Sequence, residues 1–270
     1  QLFIYMFAIC MSSFEKFLLT LLHIYLQNFI TTTIQLNIYL ILVIGLLYLI
    51  IHYYRYKGFN AFLDIYLNYI PVLTHEFGHV LFNKLAGGKA KDLVIVTSPR
   101  ERKVTSQQGY AITQSKGYLG QFITTIGGYL MPPLMFLTGL VSIHYQYPSI
   151  FITIYLLIFI YYFFITSRKL SPLIVIILIS SLLYLVFRQD HQWFIYDIVT
   201  LSYHFILGVL LGEILQSSWT IFRLTFQRPK PSWDGSALTE VTRVPTFIFS
   251  LVWILFNFYT VYLLIKYTIL

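Results

Sequence analysis

The sequence predicts an all-α polytopic membrane protein with six or seven transmembrane helices and a small β-hairpin-like insertion at the cytoplasmic or interfacial side. Three observations carry that expectation. Of 270 residues, 58% are hydrophobic and 19% aromatic, and only 10% are charged, a composition that soluble domains do not have. Apolar runs of bilayer-crossing length recur along the whole chain. The most polar stretch, Lys89 to Ser115, alternates as strands do.

Residues 1–270 read as a single integral-membrane domain. Within it, 1–59 would hold N-terminal helices, 60–140 a polar-centred helix, a strand-like loop and a broken span, 150–215 bundle helices, and 216–270 a connector and the last span. Residues 1–11 lack a basic leading region and a small-x-small cleavage site, so no removable signal peptide is expected. Phe17 to Tyr54 carries no Asp, Glu, Lys or Arg and suffices for two spans, or for one span after an interfacial helix. Leu36 to Tyr54 is the clearer of the two; Phe14 to Ile30 either crosses or lies flat.

Asn60 to Ala86 makes a helix of about 40 Å, stopped by Gly87-Gly88. It contains His75-Glu76-Phe77-Gly78-His79, an HExxH pentad in apolar surroundings. Side chains at i and i+4 share a helix face, so His75 and His79 can reach one metal ion. Zinc suits neutral imidazoles and, in catalytic sites, takes a third protein ligand and leaves a position for water. Glu76 beside them would be the base that accepts a proton from the zinc-bound water. A carboxylate in so apolar a surround is costly unless it is paired or near a metal. Asp64 lies eleven residues before His75, too far along the axis to share the ion, and reads as a buried carboxylate bonded to a neighbouring helix.

Leu93–Thr97 and Tyr110–Thr113 flank the charged Pro99–Lys103 as strand-like runs at the membrane surface. Gly117 to Leu140 is a span interrupted by Gly127-Gly128 and Pro132-Pro133, residues common in transmembrane helices, with a kink beside the site that makes room for substrate as the sharper alternative. Ile150–Ile165 and Leu173–Phe187 are featureless spans. Trp193–Leu215 carries Asp197, His204 and Glu213, rare residues inside lipid. Gln216 to Arg243 reads as a polar connector, and Pro245 to Lys266 as the final span.

The net charge of +8 does not point to nucleic acid, because the basic residues lie between apolar segments and form no aromatic-laced patch. With spans alternating from Leu36, the connectors 84–117, 166–171 and 216–243 hold thirteen Lys and Arg, against Arg55, Lys57, Arg188 and Lys266 opposite. The richer side should be cytoplasmic, which puts the pentad toward that side. The single Cys10 excludes an internal disulfide. Abundant Ile, Tyr, Phe and Lys with little Ala suits an AT-rich bacterial genome, and hence a bacterial cell membrane.

Candidates for the third ligand are Asp234, Asp197, His204, Glu213 and Glu240. Asp234 sits in a Pro-rich approach to the last helix, with Gly235 letting the backbone turn its carboxylate toward the bundle. The same Asp could instead cap the helix that follows. Glu213, near the inner end of its span, is the reserve.

HEFGHVLFNKLAGG, GYLGQFITTIGGYLMPPL and WDGSALTEVTRVPTFIFSLVW together resemble the site-2 protease family of intramembrane zinc metallopeptidases, in its short bacterial branch without a PDZ domain. The similarity covers about residues 60–140 and 230–256, with Ser232-Trp233 in place of the family's usual Asn-Pro lead. The resemblance implies one Zn2+ held by His75, His79 and Asp234, with Glu76 as base. It implies cleavage of a peptide bond within or near a substrate transmembrane or signal-anchor segment, in contact with membrane lipid and with no nucleic acid. Two rivals stand beside it. A membrane gluzincin would take Glu213 or Glu240 as third ligand. A non-proteolytic protein would use the pentad for structural metal, or relay ions past Asp197, His204 and Glu213. Asn68, Thr74 and Asn83 could line a wet path to the ion, and the 93–113 strands could add an unwound substrate segment as an extra strand. Oligomeric state has no signature in the sequence.

Overall fold

The computed structural model describes residues 33–188 and 193–269. The candidate span Phe14 to Ile30 lies outside them. The chain runs α1 (Ile38–Tyr53), α2 (Asn60–Leu85), β1 (Lys89–Ile95), α3 (Pro99–Thr105), β2 (Gly109–Gln114), α4 (Gly117–His144), α5 (Pro148–Ile165), α6 (Leu170–Arg188), α7 (Trp193–Phe226), α8 (Asp234–Thr242) and α9 (Thr246–Ile269). It is mostly helical. Among the described residues, four helices are long and apolar enough to cross a membrane: α4, α5, Asp197–Phe226 of α7 and Thr246–Thr268 of α9. α1 and Leu170–Tyr184 of α6 are apolar but shorter.

Leucine packs no better on protein than on lipid tails, so helix contacts here depend on small residues and polar bonds. On α1, Ile41, Gly45, Tyr48 and His52 form the buried stripe, while Leu42, Val43, Leu46 and Leu47 face outward. The stripe meets α7 where Gly208 and Gly212 leave room for Ile44 and Tyr48. Asn37 caps α1 by accepting the Leu40 N–H. α2 and α4 touch backbone to backbone, since a Cβ on Gly78 would lie 2.4 Å from the Gly127 carbonyl. Gly127-Gly128 and Pro132-Pro133 therefore do not break α4, which stays helical through all four residues. The glycines serve close approach.

β1 and β2 pair antiparallel, Lys89 with Gln114 through Ile95 with Gly109, with an irregularity between Ala90 and Asp92. The insertion forms the expected strand pair, and it is packed into the helices and not held apart from them. Both strands pack along α2, Leu93 to Val96 are fully buried, and the Ile95 N–H donates to the Tyr162 hydroxyl of α5. The charged run between the strands is the helix α3, started by Ser98, which accepts from Glu101 N–H, and ended at Ser106 in the left-handed region. By lying along α2, the hairpin carries α3 to that helix's beginning, where Arg102 meets Asp64 at 3.3 Å. Arg55, Tyr56 and Gly58 thus share a cavity with Pro99, Arg100, Arg102 and Lys103, although alternating spans would put them on opposite sides. The 166–169 connector also adjoins the hairpin, with Ser167 N–H on Asp92 and Arg168 on Glu101.

α7 continues eleven residues past Leu215, so Gln216 to Phe226 is helix and not connector. Ile214, Ser217, Ser218 and Ile221 recur at helical spacing and are buried. Asn257 of α9 donates to Ser218 at 2.9 Å, which ties the two helices together.

Candidate metal centre

The centre is assembled from α2, α4 and α8. His75 and His79 project from one face of α2 with their Nε2 atoms 3.3 Å apart. Oδ2 of Asp234 lies 3.6 Å from the first and 3.3 Å from the second. A tetrahedral ion with bonds of about 2.0–2.1 Å sets its ligand atoms about 3.3–3.4 Å apart. The triangle therefore fits a zinc-sized cation. Among the described residues, these three are the one group of His, Cys, Asp and Glu close enough together to hold a metal.

The tautomer suits that role. His79 Nδ1 is 2.9 Å from the Thr124 carbonyl, which can only accept, so Nδ1 donates and Nε2 keeps its lone pair for a cation. Asn83 holds this contact in place by donating to Thr124 Oγ1 at 3.0 Å and Ser115 Oγ at 3.1 Å, which pins the start of α4 to the end of α2. His75 rests edge-on against Tyr129, which in turn packs on Trp253 and Trp233.

The same aromatic cluster places Asp234. Trp233 folds over Gly235, where a Cβ would sit 2.4 Å from the indole, and Ser236 Oγ bonds both the N–H and the carbonyl of Trp233. Trp233 is the N-cap residue of α8, and the Asp234 carboxylate turns to the imidazoles instead of capping. Burial works to raise its pKa, but positive charge at the facing imidazoles, the place a cation would take, holds it below the ordinary carboxylate range. Asp234 is thus an ionised ligand candidate.

Glu76 faces the hairpin, its carboxylate within the field of His75, His79 and Asp234. Gly109 makes room for it, since a Cβ there would be 3.2 Å from Glu76 Cγ. Gly128 clears the space in front of the histidines: its Cβ would fall 2.4 Å from His79 Nε2 and 2.9 Å from His75 Nε2. A Gly-Gly pair is visible in the sequence, but that one of them faces the imidazoles is not.

The other candidates lie elsewhere. Glu213 accepts from the Tyr48 hydroxyl, which also bonds Asn68. Glu240 and Asp197 are exposed. His204 is fully buried, accepting from Asn37 N–H at 2.8 Å and donating to the Thr200 carbonyl at 2.7 Å, so it forms no relay with Asp197. Asn68, Thr74 and Asn83 are buried and bonded, and line no open path. Asp64 has the neighbours expected of a buried carboxylate: His52 at 2.8 Å, Asn68 at 2.6 Å and Arg102. His52 passes unnoticed within an apolar run.

No curated protein and no solved structure matches the chain. A family model described as Peptidase M50B-like matches residues 39–264. That span takes in the pentad helix, the hairpin and the Asp-Gly segment together, and the chain belongs to this family of membrane peptidases, in keeping with its resemblance to the site-2 proteases.

Proposed function

We propose that the protein is a zinc-dependent intramembrane endopeptidase of a bacterial cell membrane, cutting a peptide bond within or near a substrate's transmembrane or signal-anchor segment. One observation carries the reading: three metal-binding atoms from remote parts of the chain converge at 3.3–3.6 Å with a carboxylate beside them. His75, His79 and Asp234 would hold the ion. Zinc bound there supplies a water acidified toward neutrality and a Lewis acid for the scissile carbonyl. Glu76 accepts the proton of the attacking water and delivers it to the leaving amine. The Thr124 carbonyl keeps His79 in the ligating tautomer, and Gly128 keeps the approach clear.

In this reading α1, α2 and α6 cross the membrane with the four longer apolar helices. The centre is taken to face the cytoplasm: Lys84–Lys91 and Arg223–Arg243, which flank its ligands in sequence, hold seven Lys and Arg, although the hairpin carries Arg100, Arg102 and Lys103 to the other end of α2. The substrate, once unwound, adds to the half-exposed β2 as a further strand. The gluzincin alternative is disfavoured by the engagement of Glu213 with Tyr48. The test is cleavage of a membrane-spanning peptide by purified protein in detergent. Glu76→Gln should retain zinc and lose turnover by at least about a hundredfold. Cutting at the wild-type rate by that variant ends the proposal.

A further inference from the structure

About sixteen ångströms along α2 from His75, at the Asp64 end, lies a second site. A cavity of about 420 Å3 is lined by residues that include Arg55, Arg100, Arg102, Lys103, Gln108 and Asp64. Asp64 is the only acid among its lining residues and is already bonded to Arg102 and His52. Glu101, the acid within the same basic run, points elsewhere: Arg168 holds it through two N–H···O bonds of 2.6 and 2.9 Å. The wall therefore keeps a surplus of positive charge.

Arg102 shows where that charge is unspent. Its side chain is 9% exposed; Nε donates to the Val96 carbonyl at 2.7 Å and Nη1 to Asp64 at 3.3 Å. Nη2 has no partner among the described residues. A buried guanidinium N–H without an acceptor is costly, and guanidinium geometry matches the oxygens of a phosphate. Tyr56 of the lining is exposed, as are Tyr53, Phe59, Phe62 and Tyr66 in the same turn and helix start. Aromatic rings beside Lys and Arg at helix ends mark the headgroup layer of a bilayer.

We propose that this cavity is a phosphate-binding site, which takes the headgroup of an anionic phospholipid at the interface. Arg102 supplies positive charge at the buried end, while Arg100 and Lys103, both exposed, close on the phosphate from the rim. Chain Arg102–Asp64–Asn68–Tyr48–Glu213 links the site to the bundle interior by hydrogen bonds.

The metal-loaded protein in detergent is exchanged with phosphatidylglycerol or phosphatidylcholine and retained lipid is read by native mass spectrometry, with inorganic phosphate in a parallel thermal-shift arm. Phosphatidylglycerol should be retained and phosphatidylcholine lost. Arg102→Gln and the rim variant Arg100→Gln/Lys103→Gln should each weaken retention about tenfold with zinc content unchanged. A thermal shift with inorganic phosphate, lost in the rim variant and without lipid selectivity, would keep the phosphate chemistry and name free phosphate as its source. Equal retention of both lipids with no phosphate effect overturns the proposal, as does retention by the rim variant at the wild-type level. The rim variant decides alone if Arg102→Gln does not fold.

Discussion

Two polar clusters sit eleven residues apart on α2, and they are built on opposite logics. Around Asp64 every acceptor meets a donor: His52, Asn68 and Arg102 surround one carboxylate, and Gln216 reaches His52 Nε2 at 3.0 Å. Around His79 three potential ligand atoms face one another, two imidazole nitrogens and a carboxylate oxygen, and only positive charge at their centre, a cation or an imidazole proton, can join them. A set of facing lone pairs repels itself unless a cation sits at its centre. The first cluster has donors to spare, the unpartnered Nη2 of Arg102 among them, and the second is unfinished without an ion. Burial and residue type alone do not separate them; the match of donors to acceptors does.

The sharpest way to break the comparison is to remove one corner of the triangle. His75→Ala, His79→Ala or Asp234→Ala should each lower zinc affinity by more than the about 10–100-fold that follows loss of an outer-shell partner. Glu213→Ala should keep zinc at the wild-type level. Metal analysis of the purified variants checks both, and zinc loss in Glu213→Ala with retention in Asp234→Ala would move the third ligand to α7.

Gly128→Ala tests the clearance and not the ligands. A methyl group 2.4 Å from His79 Nε2 forces α4 away from α2 or the imidazole off its axis. A displacement of about 1 Å at a catalytic site costs about a hundredfold in rate, and peptide turnover should fall by that order with the helical content unchanged. Normal turnover would mean that the two helices are not locked at this distance.

The Asp64 cluster should respond in stability and leave zinc alone. Asp64→Leu strands the Arg102 guanidinium and should cost about 3–5 kcal/mol. Adding Arg102→Leu should recover most of the loss, because an apolar pair has no charge left to bury. Thermal melts of the single and double variants measure this, and the folded fraction of each should bind one zinc per chain. Loss of zinc in both would mean that the two clusters work as one.

What was readable in the sequence divides along the same line. The pentad is legible because i and i+4 share a helix face, and Asp234 because a Gly follows it in a Pro-rich segment. The strands of the insertion show in their alternation; α3 is masked by its charge, although Ser98-Pro99-Arg100-Glu101 carries a helix-start pattern. The full length of α7 is hidden because Gln216, Ser217, Ser218 and Arg223 look like a connector; the packing of Ser217 and Ser218 against Asn257 of α9 shows the helix continuing. Local periodicity cannot reveal Gly128, His52 or Arg102, whose roles arise from contacts across 12 or more residues of sequence.

The smallest effect is expected at α3, where adjacent residues join two Arg–carboxylate pairs of opposite character. Arg102–Asp64 is buried; Glu101–Arg168 has side chains 31% and 38% exposed. The hydrogen bonds from Arg168 hold the Glu101 carboxyl below its ordinary pKa. A carboxyl lowered in the folded state contributes stability that is fully present above its unfolded pKa and is lost as pH falls through the folded value. Solvent screening limits an exposed pair to at most about 1 kcal/mol. Glu101→Gln should therefore lower the melting temperature slightly near neutral pH, and the difference from wild type should vanish in acid and shrink in high salt. A gap that persists in acid would show that Glu101 acts by packing and not by charge, and the contrast between the two pairs on α3 would then rest on shape alone.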